Sequence, residues 1–228
     1  MSFKDKILNN QSPWGTPPGG DGGRGSPSGN GSGSRQDPPS IDDVIRNLQK
    51  TINKCFSVSG ITLHSGALSN LTIKPATANT GIVFIRVDLD YANEETLIEA
   101  KFNRVTISDL CTKITNNYGV SVSTIEHLLS ALHGMGIDNA IIEVDCDELP
   151  ILDGSSIEYV RNIEDVGLKK LNVERKYIKI SRPIIFSMND SFVKAYPSDN
   201  FEIDYTISYE HNLIKEQRFN YEFKDSSQ

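Results

Sequence analysis

The stretch from Ser123 to Ser156 constrains the fold more strongly than any other part of this chain. Ser123 and Glu126 have the spacing of a capping box, which favours a helix that begins at this point. The apolar residues that follow recur at the i, i+3, i+4, i+7 spacing of one helix face: Ile125, Leu128, Leu129 and Leu132. Gly134 and Gly136 favour the end of the helix. The sequence therefore predicts a short amphipathic helix with one buried face.

The rest of this stretch predicts a strand, a turn and a second helix. Asn139 to Val144 is a short apolar run, as expected for a strand. Asp153-Gly154 is a turn dipeptide, and Ser155 or Ser156 can cap a helix over residues 157–168. Two helices among several strands, without a regular β-α-β-α alternation, indicate an α+β fold of layered sheets and helices.

The remaining strand-like runs suggest two domains of unequal completeness. Those before the first helix are Thr51–Thr62, Leu71–Pro75, Ile82–Val87 and Val105–Ile114. A charged connection over residues 169–176 separates a first domain, residues 51–172, from a second domain, residues 173–228. The second domain contains strand-like runs but no predicted helix, and these runs are Tyr177–Ile180, Ile184–Phe186, Phe192–Ala195, Phe201–Ile207 and Phe219–Phe223.

The first fifty residues differ in composition from the remainder of the chain. Residues 12–40 are rich in Gly, Pro and Ser, and such a stretch buries too little apolar surface to offset the entropy of ordering it. We therefore expect a disordered Gly/Pro-rich tail over residues 1–50. Within it, a short helix over residues 41–50 is expected from a capping residue, Ser40, and an apolar stripe of Ile41, Val44, Ile45 and Leu48.

Charge and composition exclude some classes of function. The net charge of −7 argues against general nucleic-acid binding, which requires a basic face. Cys55, Cys111 and Cys146 form no C-x-x-C pair, which is typical of free thiols in a reducing compartment. No run approaches the roughly 18 apolar residues of a membrane helix, and residues 1–11 lack the apolar core of a signal peptide. We therefore expect a cytoplasmic protein without a transmembrane segment.

Glu126 and His127 are the candidate catalytic pair, and spacing alone leaves two interpretations open. Glu126 is explained as a capping residue and His127 as a solvated surface side chain. Alternatively, His127 binds a zinc ion and Glu126 takes a proton from a metal-bound water. A catalytic zinc site normally has three protein ligands, so one imidazole does not establish it.

Five short motifs occur in a fixed order between residues 51 and 223. They are Gly60-Ile61-Thr62-Leu63-His64-Ser65-Gly66; Lys74-Pro75-Ala76 with Asn79-Thr80-Gly81; Leu110-Cys111-Thr112; Ser123-Thr124-Ile125-Glu126-His127-Leu128; and Gly136-Ile137-Asp138-Asn139 with Pro150-Ile151-Leu152-Asp153-Gly154-Ser155. Together they resemble the signature of the UDP-3-O-acyl-N-acetylglucosamine deacetylase (LpxC) family. An ordered set of this kind is far more specific than any one of its members.

The resemblance implies a cytoplasmic, zinc-dependent amide hydrolase that acts on a UDP-linked acylated glucosamine and commits material to lipid A. It implies two similar domains, each a sheet with a pair of helices, with the active site between them. His127 would be a zinc ligand and Glu126 the base beside it. Leu110 and Cys111 match residues near the acyl or sugar pocket, although strand packing would also explain them. His64 matches a position at the rim of the site or an accessory metal contact, although it is equally a loop histidine.

The resemblance also implies ligands that cannot be placed in this sequence. In the family, a second-domain helix supplies a His and, four residues later, an Asp, and a further His acts as general acid. His211 is followed four residues later by Lys215, and His133 lies out of register with His127 on the first helix. We therefore expect a C-terminally truncated second domain and an incomplete zinc site. The chain alone should lack deacetylase activity, unless another polypeptide supplies the missing half.

The tail carries a second, less specific resemblance. Pro13-Trp14-Gly15, the Gly-rich tract and residues 38–43 resemble the N-terminal tail of HflK, a membrane-anchored partner of a membrane protease. Nothing else of that family is recognisable, which suggests a fusion of two gene fragments. An alternative function stays open, in which the chain is a non-enzymatic binding or regulatory protein that uses the tail for contacts and the domain as a scaffold.

Overall fold

The computed structural model of the chain describes residues 48–189 and 191–222. The expected disordered tail and most of the expected helix over residues 41–50 lie outside these ranges. At its C-terminal end the helix prediction is wrong, because Leu48–Ile52 form strand β1. This strand pairs antiparallel with β10, Leu168–Glu174, and buries Gln49, Thr51 and Ile52. Pairing with a distant strand therefore overrides the local helical spacing.

The core lies against a mixed five-stranded sheet. In spatial order the strands are β2 (Phe56–Ile61), β3 (Leu68–Pro75), β9 (Ala140–Val144), β4 (Ile82–Arg86) and β5 (Leu97–Glu99). Neighbours run antiparallel except β9 and β4, which run parallel. Strand β9 confirms the strand expected over residues 139–144, and it occupies the centre of the sheet. Its alternate residues Ala140, Ile142 and Val144 are fully buried, as the two-residue period of a strand requires.

Two helices share this core. Helix α2 spans Glu126–Gly134 and helix α3 spans Ile157–Val166; a four-residue helix α1, Asn93–Thr96, precedes β5. The predicted apolar stripe of α2 is confirmed, because its members belong to the core cluster or pack against it: Ile125, Leu128, Leu129 and Leu132. Tyr159 and Ile163 form the buried face of α3. The observed fold is thus the sheet-rich α+β class that the sequence predicted.

A small three-stranded sheet leads into α2. Its strands are β6 (Val105–Thr106), β7 (Lys113–Thr115) and β8 (Ser121–Ser123), and a 3-10 turn, Phe102–Arg104, precedes them. The strand expected over the whole of Val105–Ile114 is therefore wrong, because residues 107–112 form a loop between β6 and β7. This loop contains Leu110 and Cys111.

The predicted capping box is also wrong. Ser123 is the last residue of β8, and its hydroxyl donates to the backbone carbonyl of Asp147 at 3.0 Å. Ile125 occupies the N-cap position of α2, without a side-chain cap. The hydroxyl of Ser123 therefore links the end of β8 to the bend at Asp147 instead of accepting a hydrogen bond from a backbone N–H of the first helical turn.

The chain beyond β10 forms two separate hairpins. Strand β11 (Ile184–Met188) pairs with β12 (Ser191–Ala195), and β13 (Glu202–Ser208) pairs with β14 (Glu216–Glu222). These strands include most of the runs expected there, but Tyr177–Ile180 forms no strand.

The hairpins leave much apolar surface exposed, for example at Phe186, Val193 and Phe219. Strand β10 crosses the expected domain boundary at residue 172, and the division into residues 51–172 and 173–228 stays a prediction. In the part of the chain that the structure describes, no helix is long and apolar enough to cross a membrane.

Candidate active site

Glu126 and His127 lie in the first turn of α2, where the chain turns sharply out of β8. Thr124 makes this turn with a φ of 57°, in the left-handed region that β-branched residues rarely adopt. Ile125 follows with only 1% of its surface exposed, which anchors the helix start in the core. Successive residues on a helix are rotated by about 100°, so that Glu126 and His127 lie away from this anchor. Both side chains are half-buried.

The carboxylate of Glu126 is oriented by a backbone contact. Its Oε2 accepts a hydrogen bond from the N–H of Thr112 at 3.0 Å. Among the described residues, Oε1 of Glu126 and the imidazole of His127 have no hydrogen-bond partner within the chain. The pair therefore presents an oriented carboxylate oxygen and an imidazole that remain available to a ligand.

The contact with Thr112 brings the loop that contains Leu110 and Cys111 to the start of α2. Leu110 is 95% exposed and has a φ of 58°. Cys111 is half-buried, and its carbonyl accepts a hydrogen bond from the hydroxyl of Ser108. The two residues directly precede Thr112, which contacts the candidate base, and they lie in a loop and not in the expected strand. Their role in substrate binding stays a prediction.

His64 belongs to a second cluster, which is centred on the carboxylate of Glu148. Its Nδ1 lies 2.7 Å from Glu148 Oε1, and its backbone N–H donates to both carboxylate oxygens at 3.2 Å. The N–H of Ser65 donates to Oε2 at 3.3 Å, and the hydroxyl of Thr124 donates to Oε1 at 2.9 Å. Glu148 is only 3% exposed, whereas the His64 side chain is 40% exposed.

Glu148 is ionised in this environment. Burial by itself would raise the pKa of the Glu148 carboxyl, but the hydrogen bonds from His64, Thr124 and Ser65 outweigh it and hold that pKa below its ordinary value. An ionised carboxylate only accepts hydrogen bonds, and its donors here are the ring and backbone N–H of His64, the N–H of Ser65 and the hydroxyl of Thr124. The cluster therefore joins the loop of the first motif to Thr124, the residue before the N-cap of α2.

The backbone around Glu148 fixes where its carboxylate enters the cluster. The N–H of Ser123 donates to the carbonyl of Asp147 at 2.9 Å, and the N–H of Leu149 donates to the carbonyl of Ser123 at 3.1 Å. On the other side, Thr62 and Pro150 form an isolated β-bridge. Glu148 is thus held between the end of β8 and the start of the loop that contains His64.

The other histidines do not join the candidate site. His133 lies at the exposed C-terminal end of α2, with its ring edge-to-face against Phe201 and the ring centroids 5.4 Å apart. His211 lies in the turn between β13 and β14, where its Nδ1 accepts the N–H of Leu213 at 3.2 Å. Within residues 48–189 and 191–222, no three His, Cys, Asp or Glu side chains are grouped so that they could hold a metal ion.

Sequence reasoning missed Glu148 and Thr124 as site residues. Thr124 lies inside a recognised motif, but nothing in its local sequence announces a left-handed conformation. The one available signal for Glu148 was an acidic residue directly before the apolar run Leu149–Leu152. Its burial depends on a partner 84 residues away in the chain, His64, which local patterns do not reveal.

Comparison of the sequence with known proteins identifies the family of the chain. Residues 49–228 match the family model described as UDP-3-O-acyl N-acetylglycosamine deacetylase, LpxC. The UDP-3-O-acyl-N-acetylglucosamine deacetylase of Pseudoalteromonas atlantica is 45% identical over 170 residues, which are 75% of this chain and 55% of the relative. The protein of the same name from Idiomarina loihiensis is 44% identical over 166 residues, 73% of this chain and 53% of the relative. The one from Syntrophus aciditrophicus is 40% identical over 180 residues, 79% and 56% of the two chains.

All three relatives are named as deacetylases. The chain belongs to the UDP-3-O-acyl-N-acetylglucosamine deacetylase family. It spans about half the length of the curated relatives that it matches. A second model, described as the N-terminal part of a bacterial membrane protein (HflK_N), matches residues 1–58. The two matches overlap over residues 49–58, which include most of β1 and the start of β2.

Proposed function

We propose that this chain contributes the general base and one metal-binding imidazole to the zinc-dependent hydrolysis of the acetamide of a UDP-linked 3-O-acyl-N-acetylglucosamine. The observation that carries the proposal is the pairing of Glu126 and His127 in the first turn of α2, inside a motif of the family. A substrate of this class follows from the names of the relatives. A role in lipid A synthesis is part of the proposal and rests on the resemblance to the family. A cytoplasmic location stays a prediction that rests on the same resemblance.

Glu126 is suited to move a proton. The N–H of Thr112 holds Oε2, which leaves Oε1 free to accept the proton of a water that attacks the acetamide carbonyl. Glu126 is the first residue of α2, so its side chain lies at the positive end of the helix dipole. Leu110 and Cys111, which precede Thr112 in the neighbouring loop, would contact the substrate beside the base.

The described residues do not fit a complete zinc site. A catalytic zinc ion is normally held by three protein ligands, and here His127 is the single imidazole at the start of α2. Zinc would supply Lewis-acid polarisation of the carbonyl when bound in a complete site. Because affinity depends on ligand number and preset geometry, we expect weak zinc binding and no deacetylase activity from this polypeptide alone.

A zinc titration tests the metal-binding part of the proposal. We expect weak binding by the purified chain that is lost in His127→Ala and kept in His133→Ala, because His133 lies at the other end of the same helix. Equal binding by both variants would contradict a ligand role for His127.

An activity assay tests the catalytic part. Acetate release from UDP-3-O-acyl-N-acetylglucosamine by the chain alone should not exceed that of Glu126→Ala, and a clear excess would overturn the expected inactivity. The chain should become active when it is mixed with the C-terminal part of the Pseudoalteromonas atlantica relative that it does not match. That activity should disappear in Glu126→Ala. Substrate binding without turnover in the mixture would favour the alternative, a non-enzymatic binding protein.

A further inference from the structure

Glu148 is the only buried Asp or Glu among residues 48–189 and 191–222. A carboxylate at 3% exposure would be strongly destabilising without compensation, because burial removes its hydration. Here two backbone N–H groups, one hydroxyl and one imidazole provide that compensation. The donors come from two separate segments, the loop that contains His64 and the start of α2.

We propose that Glu148 is a positioning residue of the active site, which fixes the tautomer of His64 and holds Thr124 in the conformation that begins the helix of Glu126 and His127. This inference rests on the proposed function only in assigning Glu126 and His127 to the site. Its geometric basis is independent of any metal or substrate.

The tautomer follows from the chemistry of the contact. Glu148 Oε1 accepts, and His64 Nδ1 lies 2.7 Å away, so the proton of a neutral imidazole must reside on Nδ1. The lone pair is then on Nε2, at the end of a side chain that is 40% exposed. His64 therefore presents a hydrogen-bond acceptor to its surroundings, with an orientation set by the buried carboxylate.

The second role concerns the start of α2. Thr124 has a φ of 57°, which is costly for a β-branched residue and persists only where other contacts hold it. Its hydroxyl donates to Glu148 Oε1 at 2.9 Å, and Thr124 is 2% exposed. Glu126 is two residues further along the chain. A change at Glu148 should therefore reach Glu126 through this strained turn, without any direct contact between the two carboxylates.

The alternative is that Glu148 has only a structural role, in which it links two segments of the chain. A link made only through the backbone N–H groups and the Thr124 hydroxyl would stabilise the protein but would not select one ring nitrogen of His64. Long-range imidazole 1H–15N spectra distinguish the structural role from the positioning role, because they report which ring nitrogen of His64 carries the proton. The measurement uses the 15N-labelled 228-residue chain at about pH 8, where an ordinary imidazole is neutral. The chain has four histidines, and the His64→Gln variant assigns the signals of His64.

We expect His64 to carry its proton on Nδ1 in the wild-type chain and to redistribute it over both nitrogens in Glu148→Ala. Glu148→Asp should restore the Nδ1 form in part, because a carboxylate remains. Glu143→Gln, at a partly exposed ion pair with Lys74, should leave His64 unchanged. A predominantly Nε2-protonated His64 in the wild-type chain overturns the inference, even if Glu148→Ala fails to fold.

A matched pair of variants tests the link to the helix. Thr124→Val keeps the shape and the strained backbone but removes the hydroxyl, whereas Thr124→Ser keeps the hydroxyl. We expect the backbone amide signals of Glu126 and His127 to shift in Thr124→Val and to stay near their wild-type positions in Thr124→Ser. Equal shifts in both variants would refute the positioning of the helix start. If the wild-type chain does not bind zinc, this result counts against the proposed function and leaves both spectroscopic results intact.

Discussion

Glu148→Gln is the substitution that best measures what the buried carboxylate contributes to stability. The amide oxygen of Gln can replace Oε1 and keep the contacts with His64 Nδ1 and the hydroxyl of Thr124. Its NH2 group then faces the N–H groups of His64 and Ser65, which donated to Oε2 at 3.2 and 3.3 Å. The N–H of Ser65 thereby loses its acceptor, and the N–H of His64 keeps only its bond at the Oε1 position. Both N–H groups then face a further donor, the NH2 group of Gln.

The magnitude follows from the number and exposure of these bonds. Hydrogen bonds to a charged group contribute about 1.5–3 kcal/mol each when they are well shielded. The loop of His64 and Ser65 is exposed, so that water can replace part of the loss. We therefore expect Glu148→Gln to lower the free energy of unfolding by about 2–3 kcal/mol at neutral pH.

The pH dependence of this difference has a definite sign. The folded-state pKa of Glu148 is lowered, so its ionised form stabilises the fold above the unfolded-state pKa of about 4.3, and this contribution is lost as the pH falls towards the lower folded-state value. A protonated Glu148 resembles Gln. The gap between wild type and variant should therefore be constant from pH 7 to about pH 5 and shrink below about pH 4.3.

Urea denaturation monitored by far-UV circular dichroism provides the measurement. Tryptophan fluorescence is unsuitable, because Trp14 is the single tryptophan and lies outside the described residues. Glu143→Gln is the matched control, since its ion pair with Lys74 lies at the surface and is partly exposed, and surface ion pairs contribute about 0–1 kcal/mol. A Glu148→Gln protein as stable as wild type at pH 7, or a gap that widens in acid, would refute the reasoning.

Three further substitutions test the core and its polar contacts by the same denaturation assay. Leu128→Ala empties a fully buried position on α2 and should cost about 2–5 kcal/mol; a loss under 1 kcal/mol would mean that this face is not packed as described. Asn139 is 1% exposed, and Asn139→Ala leaves the N–H of Gly81 without its side-chain acceptor, which should cost about 1–3 kcal/mol. An unchanged denaturation midpoint would show that water replaces this hydrogen bond. Tyr159→Phe removes the hydroxyl that donates to the carbonyl of Pro150 at 3.0 Å and should cost about 1 kcal/mol, and a more stable variant would contradict this.

Local sequence patterns predicted the elements that bury one regular face. The stripe of α2 and the strand at β9 are confirmed, and each buries residues at the geometric period of its element. The prediction of a helix up to residue 50 failed at β1, where pairing with β10 decides the conformation. The prediction of a continuous strand through Leu110 and Cys111 failed because the loop is held by a contact with the α2 helix, through Glu126.

The candidate site likewise contains some features that follow from the sequence and others that follow only from the tertiary structure. The sequence by itself determined the Glu126-His127 pair, the family motifs and the α+β class, because these depend on residue identity and on spacing within one element. Only the tertiary structure decided that Thr124 adopts a left-handed turn and that Glu148 is buried against His64, 84 residues away. The physical reason is that a buried carboxylate is stable only where donors from distant segments converge, and short-range periodicity carries no information about which segments will meet.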